Sequence, residues 1–165
     1  MSFYVIIRGP LGIGKSTVAK TLSKKIGAEH VSIDKILKEE DSDHIDEQIG
    51  YIPEENFKKA NGIAVDRTRA KIMRGKPIVY DGNFYWKTQM NNLVSRLNCR
   101  HYVFTLKADL ETCIDRDSKR KKPLGKEATM VVYKKVTEFN YGEVIDTEGK
   151  SVEEVVSEII GMIEE

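Results

Sequence analysis

The sequence predicts an α/β fold: a three-layer sandwich in which a five-stranded parallel sheet carries helices on both faces. Three observations predict it. Five short apolar, β-favouring runs recur along the 165 residues. Helix-length segments separate them, with no two strands in direct succession. The strand runs are apolar on both sides rather than alternating, as strands covered on both faces should be. No repeat and no linker interrupts the pattern, so residues 1–165 are expected to form one domain, long enough to bury a proper core.

The elements follow in order. Residues 3–7, Phe-Tyr-Val-Ile-Ile, read as a first, central strand. Val18, Leu22 and Ile26 recur at helical spacing over 17–26, and Gly27 closes that helix. His30–Ile33 is a short second strand ending in Asp34, followed by a helical start at Lys35–Glu39 and an acidic loop over 39–47. Pro53 suits the start of a long helix and Gly75 its C-terminal cap. Pro77–Tyr80 is the third strand, ending Asp81-Gly82. Trp86–Leu97 is helical, with Met90, Leu93, Val94 and Leu97 on one face. His101–Leu106 is the fourth strand, and Asp109 caps the helix after it. That helix runs into a basic stretch at 116–122; Lys126–Phe139 is the next helix and Val144–Ile145 a fifth strand. Ser151-Val-Glu-Glu154 is a capping box that opens the last helix.

Composition excludes several function classes. Charged residues are 32% of the chain but nearly cancel to a net +1, so no global signature of nucleic-acid or membrane binding is present. No stretch of 18 apolar residues reads as a membrane span. Cys99 and Cys113 have neither metal-ligand spacing nor a disulfide framework and read as small apolar residues. No signal-peptide pattern precedes the first strand, and a cytoplasmic location is expected.

Chemistry is concentrated where strands end. Residues 9–16, Gly-Pro-Leu-Gly-Ile-Gly-Lys-Ser, match the phosphate-binding loop G-x-x-x-x-G-K-[ST] between a strand and a helix. Gly9, Leu11, Gly12, Ile13 and Gly14 turn backbone N–H groups around nucleotide phosphates. Lys15 reaches the β/γ phosphates, the Ser16 hydroxyl is placed for Mg²⁺, and Thr17 lies in the first turn of a helix whose positive end favours an anion. In a parallel sheet the ligand lies beyond the carboxyl ends of the strands. Asp34, after strand two, is a candidate general base for an attacking hydroxyl, or the N-cap of the helix at 35–39. Asp81, ending strand three, is a candidate Mg²⁺ partner; it could instead orient the substrate or make a turn before Gly82. Arg116 to Lys122 packs five cations into seven residues. Arg116 and Arg120, four apart, would share a helix face and close over the transferring phosphoryl as part of a lid at about 116–126. The other readings of that run are a solvated surface or a patch for a nucleic-acid backbone. One of Arg67 and Arg69 is a candidate for an anionic substrate, ordinary exposure being the alternative. His30, His44 and His101 share no spacing and no evident partner, and read as structural or surface residues.

Together these residues resemble the P-loop kinases of the adenylate kinase/shikimate kinase type over essentially the whole chain. The Arg116-Asp-Ser-Lys-Arg120 run, a following helix with Met130 and Tyr133-Lys134-Lys135, and Asp81-Gly82-Asn83-Phe84 look like the polynucleotide 5′-hydroxyl kinase and zeta-toxin-like branch. The glycine triplet of shikimate kinases after strand three is absent, and Ser32-Ile33-Asp34 supplies only the second of their paired aspartates. Polynucleotide kinases favour an Arg shortly after the base; here Lys35 and Lys38 are the nearest cations and lack its bidentate fork. The resemblance implies the P-loop NTP hydrolase fold with strand order 2-3-1-4-5. It also implies an adenine flanked by Asp146-Thr147-Glu148-Gly149, so that Thr147 and Arg116 contact the nucleotide.

The function expected is ATP-dependent, Mg²⁺-assisted transfer of the γ-phosphate to a hydroxyl of a small molecule or of a nucleoside or polynucleotide 5′ end, nucleic acid entering only as substrate. A shikimate or adenylate kinase-like activity on a small metabolite is the near alternative, and a non-catalytic nucleotide-binding module the distant one. A GTPase fits poorly: Leu106-Lys107-Ala108-Asp109 has Leu where the guanine-reading motif has Asn or Thr, and the D-x-x-G at Asp146–Gly149 comes too late to be a switch.

Overall fold

Period-two alternation along the strands splits the core in two. In the computed structural model, which describes residues 2–164, β1 (Tyr4–Arg8) is fully buried. Its Tyr4 and Ile6 face one helix layer, and Val5 and Ile7 the other. β3 (Ile78–Gly82) repeats the division, sending Ile78 and Tyr80 to the first layer and Val79 to the second. β2 (Glu29–Ser32) and β5 (Glu143–Asp146) lie at the edges, and β4 (His101–Lys107) lies between β1 and β5. All pairings are parallel and the order is β2-β3-β1-β4-β5, the order the resemblance implied.

Helices cover both faces as amphipathic patterning requires. α1 (Lys15–Ile26) packs Val18, Ala19 and Leu22 with Phe104, Leu106, Ile145 and the apolar stripe of the last helix. The opposite layer holds α2 (Ile33–Glu39), α3 (Glu54–Met73) and α4 (Lys87–Leu97). α5 (Leu110–Ser118), α6 (Lys126–Val136) and α7 (Val152–Glu164) complete the chain. Of the expected box at the start of α7 the N-cap half forms, with Glu154 N–H donating to Ser151 Oγ at 3.1 Å, while the Glu154 carboxylate accepts from the Ser151 hydroxyl at 3.2 Å.

Local details depart from the sequence reading for identifiable reasons. α1 begins at Lys15, because Gly14 in the left-handed region (φ 89°) lets the helix start directly from the loop. The N-cap of α2 is Ser32, whose Oγ accepts from Lys35 N–H at 3.2 Å; Asp34 is the second residue of the helix and is free of that duty. Asp109 occupies the N-cap position of α5 but its side chain makes no capping bond; its N–H donates to Glu148 Oε1 at 2.9 Å. α6 ends at Val136, three residues short of Phe139. α5 ends at Ser118, so Arg116 and Arg120 do not share a helix face: Arg116 is helical and Arg120 lies beyond the cap residue Lys119. Cys113 is buried and Cys99 half-buried, both as free thiols. Among the described residues no helix is long and apolar enough to cross a membrane.

Candidate functional site

The loop from Gly9 to Ser16 is held from below and open above. Gly9 lies against β4: a Cβ there would come within 3.1 Å of Leu106 O. Gly12 has φ 79°, and a Cβ on it would lie 2.3 Å from Cys113 O in α5. Gly14 has φ 89° with nothing within 4 Å of its would-be Cβ. Leu11 and Ile13 anchor the loop in the core. Gly12→Ala is therefore expected to cost about 2–4 kcal/mol in denaturant melts, left-handed strain plus displacement of α5. Gly14→Ala should lose only the strain, about 1 kcal/mol. Equal losses would show that the loop does not bear on α5.

Lys15 is buried, and its Nζ donates to Pro10 O at 3.4 Å. Burial pushes its ammonium below the ordinary lysine value, while the nearby Asp34 and Asp81 carboxylates oppose the shift. Asp81 is buried at the end of β3, in register with Ile7 of β1 and Ser32 of β2. Its Oδ1 accepts from Ser16 Oγ at 3.1 Å, and its Oδ2 pairs with His30 Nε2. Asp34 is half-buried, and its Oδ1 accepts from Asn83 N–H at 3.4 Å. Burial raises its carboxyl above the ordinary value of 3.8 and Asp81 adds to the rise; Lys15 and the Asn83 N–H pull it back. Lys15, Ser16, Asp34 and Asp81 thus form one cluster at the carboxyl ends of β1, β2 and β3. Thr17 is exposed in the first turn of α1.

The arginines separate. Arg116 Nη1 donates to Ile13 O and to Thr147 Oγ1, each at 3.4 Å, which ties α5 to the phosphate loop and to the turn after β5. Thr147 is buried, its N–H and Oγ both bonded to Lys107 O. Arg120 is exposed, 3.5 Å from Asp117 Oδ1. Asp117 itself is buried and accepts from Leu124 N–H at 3.2 Å and Gly125 N–H at 2.9 Å, so it gathers residues 120–125 into one compact loop. Arg67 and Arg69 lie elsewhere: Arg67 pairs with Glu39 at 3.4 Å, and Arg69 donates to Arg96 O at 2.7 Å.

The match to known families agrees with this geometry: residues 5–139 match the AAA domain model, AAA_33. The chain belongs to that family. Its relatives include the "Putative adenylate kinase" of Pyrococcus furiosus, 28% identical, the alignment covering 96% of this chain and 83% of that protein. The shikimate kinase of Geobacter sulfurreducens is 28% identical, with 98% of this chain and 91% of that protein covered. Among solved structures, a gluconokinase from Sinorhizobium meliloti 1021 superposes with a TM-score of 0.73 at 12% identity over 96% of this chain and 89% of its own, a likeness of fold.

Within this AAA domain, Ser16 and Asp81 present an oxygen-only pair, a hydroxyl and a carboxylate, which suits a hard cation such as Mg²⁺. His30 holds the other carboxylate oxygen, as a residue that orients a ligand should. Sequence reading missed it. The other histidines are surface or structural residues, as the sequence reading had them: His44 Nε2 lies 2.7 Å from Asp41 Oδ1, and His101 stacks on Tyr4 with Nδ1 2.9 Å from Cys99 O. Asp117 was also missed; its only signal was an acid inside a run of cations. Region 40–70 carried no readable motif, yet Tyr85 Oη accepts from Ile52 N–H at 2.9 Å and Trp86 Nε1 donates to Ile52 O at 3.1 Å. These bonds pin the loop before α3 beside the Asp81–Trp86 turn. Lys135 Nζ lies 4.1 Å over the Trp86 ring.

Proposed function

We propose that this AAA domain is a kinase that transfers the γ-phosphate of ATP to a hydroxyl. The observation that carries the reading is Asp34: a half-buried carboxylate beside Lys15, raised by burial and spared from capping α2. A phosphate acceptor is already a nucleophile, whereas a hydroxyl must lose a proton as it attacks, which gives Asp34 work to do. Kinase names among the curated relatives support the reaction class.

Each residue has a defined part. The loop N–H groups and Lys15 hold the β and γ phosphates, with Lys15 leaving Pro10 O for the anion. Ser16 and Asp81 would hold Mg²⁺, which when bound neutralises charge on the phosphate oxygens. Asp34 accepts the proton as the acceptor oxygen bonds to phosphorus; the bond from phosphorus to the bridging oxygen breaks, and its electron pair leaves on ADP. Arg116 braces the loop from its flank, Thr147 borders the base, and Arg120, exposed on the 119–125 segment, can swing toward the transferring group. The chain acts as one domain, 1–165.

An ATP-consumption screen across D-gluconate, shikimate, nucleosides and a 5′-hydroxyl oligonucleotide tests the reading. Mg²⁺-dependent ADP release stimulated by one of them is expected. Stimulation by AMP alone would move the assignment to a phosphate acceptor. Label transfer to the oligonucleotide would favour the polynucleotide-like branch. His30→Ala is expected to raise the Mg²⁺ concentration for half-maximal turnover about 10–100-fold by releasing Asp81. An unchanged Mg²⁺ requirement would show that Asp81 does not hold the metal.

A further inference from the structure

The last residue of β1 is an arginine with no exposed surface. Arg8 has no carboxylate partner among the described residues. Burial lowers its guanidinium to about 10, so it stays charged at neutral pH. A buried unpaired charge is costly to desolvate, and an apolar side chain of similar volume would cost less. Four hydrogen bonds offset that cost. Nε donates to Phe84 O at 3.3 Å, Nη1 to Thr105 Oγ1 and to Phe139 O at 3.2 Å each, and Nη2 to Val136 O at 2.9 Å. The guanidinium carbon also lies 4.3 Å over the Phe139 ring.

Those acceptors belong to two functional segments. Phe84 is buried at φ 45°, a conformation that a bulky residue holds only under constraint. The residue before it, Asn83, gives its N–H to Asp34. Val136 ends α6 and Phe139 lies just beyond; α6 itself starts at Lys126, directly after Gly125, its N-cap and the end of the loop gathered by Asp117. One planar fork therefore bonds both the turn that holds Asp34 and the helix that returns from the 119–125 segment.

We propose that Arg8 is a positioning residue coupling α6 to the Asn83–Phe84 turn, and so setting Asp34 according to where that helix lies. The inference rests on the kinase reading for its consequence, but its physical content is the coupling of two segments. Motion of α6 shifts two of the four acceptors, and the guanidinium carries that shift to Phe84 O, because its donors are rigidly spaced.

Arg8→Met, Arg8→Lys and Phe139→Leu test it through thermal melts, binding of a fluorescent ATP analogue, turnover, and amide hydrogen exchange. Arg8→Met should keep its fold and bind the analogue within about twofold of wild type, while exchange quickens in 83–86 and 132–139 together. Turnover should fall about tenfold or more with the ATP KM unchanged, because a small misplacement at the base is costly. Arg8→Lys keeps the charge without the fork and should remain loosened in both segments. Unchanged exchange at 83–86, or a loss shared equally by ATP affinity and turnover, overturns the coupling. If Arg8→Met does not fold, Arg8→Lys decides by the same exchange readout, since it removes the fork and keeps the charge; Phe139→Leu is the control that removes only the stacked ring. The exchange arm needs no acceptor: a wild-type protein that phosphorylates nothing sinks the kinase reading and leaves the coupling to be judged by exchange.

Discussion

Lys15→Ala is expected to lower ATP-dependent transfer about 10²–10³-fold, the loss typical of removing one charge-stabilising contact from the transition state. The side chain is buried beside two carboxylates, and its one hydrogen bond among the described residues, to Pro10 O at 3.4 Å, is long and readily exchanged for phosphate. A second consequence follows from its charge. Lys15 opposes the upward shift of Asp34. Without the ammonium the Asp34 carboxyl titrates higher still, so the acid limb of the residual rate should move to higher pH. Steady-state rates of purified protein over a pH series check both effects. Full retention of ATP-dependent transfer would end the mechanism proposed here.

Asp34→Asn is expected to lower kcat about 10²–10⁴-fold, the range for a positioned general base, with little change in the ATP KM. In the wild type, the acid limb should lie above the ordinary carboxylate value of 3.8, since burial raises this group. The sign for stability runs the other way. A carboxyl raised in the folded state binds more protons folded than unfolded, so its contribution to stability is lost as pH rises from 3.8 through the raised value. Above the raised value the ionised Asp34 therefore costs stability. The Asn variant, an isostere without that charge, should melt at the same denaturant concentration as wild type or a higher one. A variant that loses ATP affinity and turnover equally, or that is clearly less stable, would make Asp34 a structural residue.

The parts legible in the sequence were those encoded locally. The loop at 9–16 is a contiguous pattern, and its strand and helix follow from apolar runs and 3.6-residue spacing within the next few residues. The Ser151 cap and the Gly27 cap are equally local, and both appear as read. The end of α5 was less legible. Arg116 to Lys122 has helical charge spacing, but Asp117 takes the Leu124 and Gly125 N–H groups, and that contact turns the chain out of the helix. Capping at α2 shows a competition: Ser32 and Asp34 are both good caps, and the contact between Asp34 and Asn83, distant in sequence, leaves the task to Ser32.

By itself the sequence determined the α/β class, the phosphate loop and the carboxylates Asp34 and Asp81 near the strand ends, because spacing along one chain specifies them. Only the tertiary structure decided their partners. His30 meets Asp81 across 51 positions, and Arg8 meets Val136 across 128, because β2, β3 and β1 lie side by side and α6 folds back over them. Neither pairing leaves a periodic trace. A hydrogen bond between distant residues depends on strand order and side-chain direction, which are settled only when the two apolar faces of the sheet are buried together.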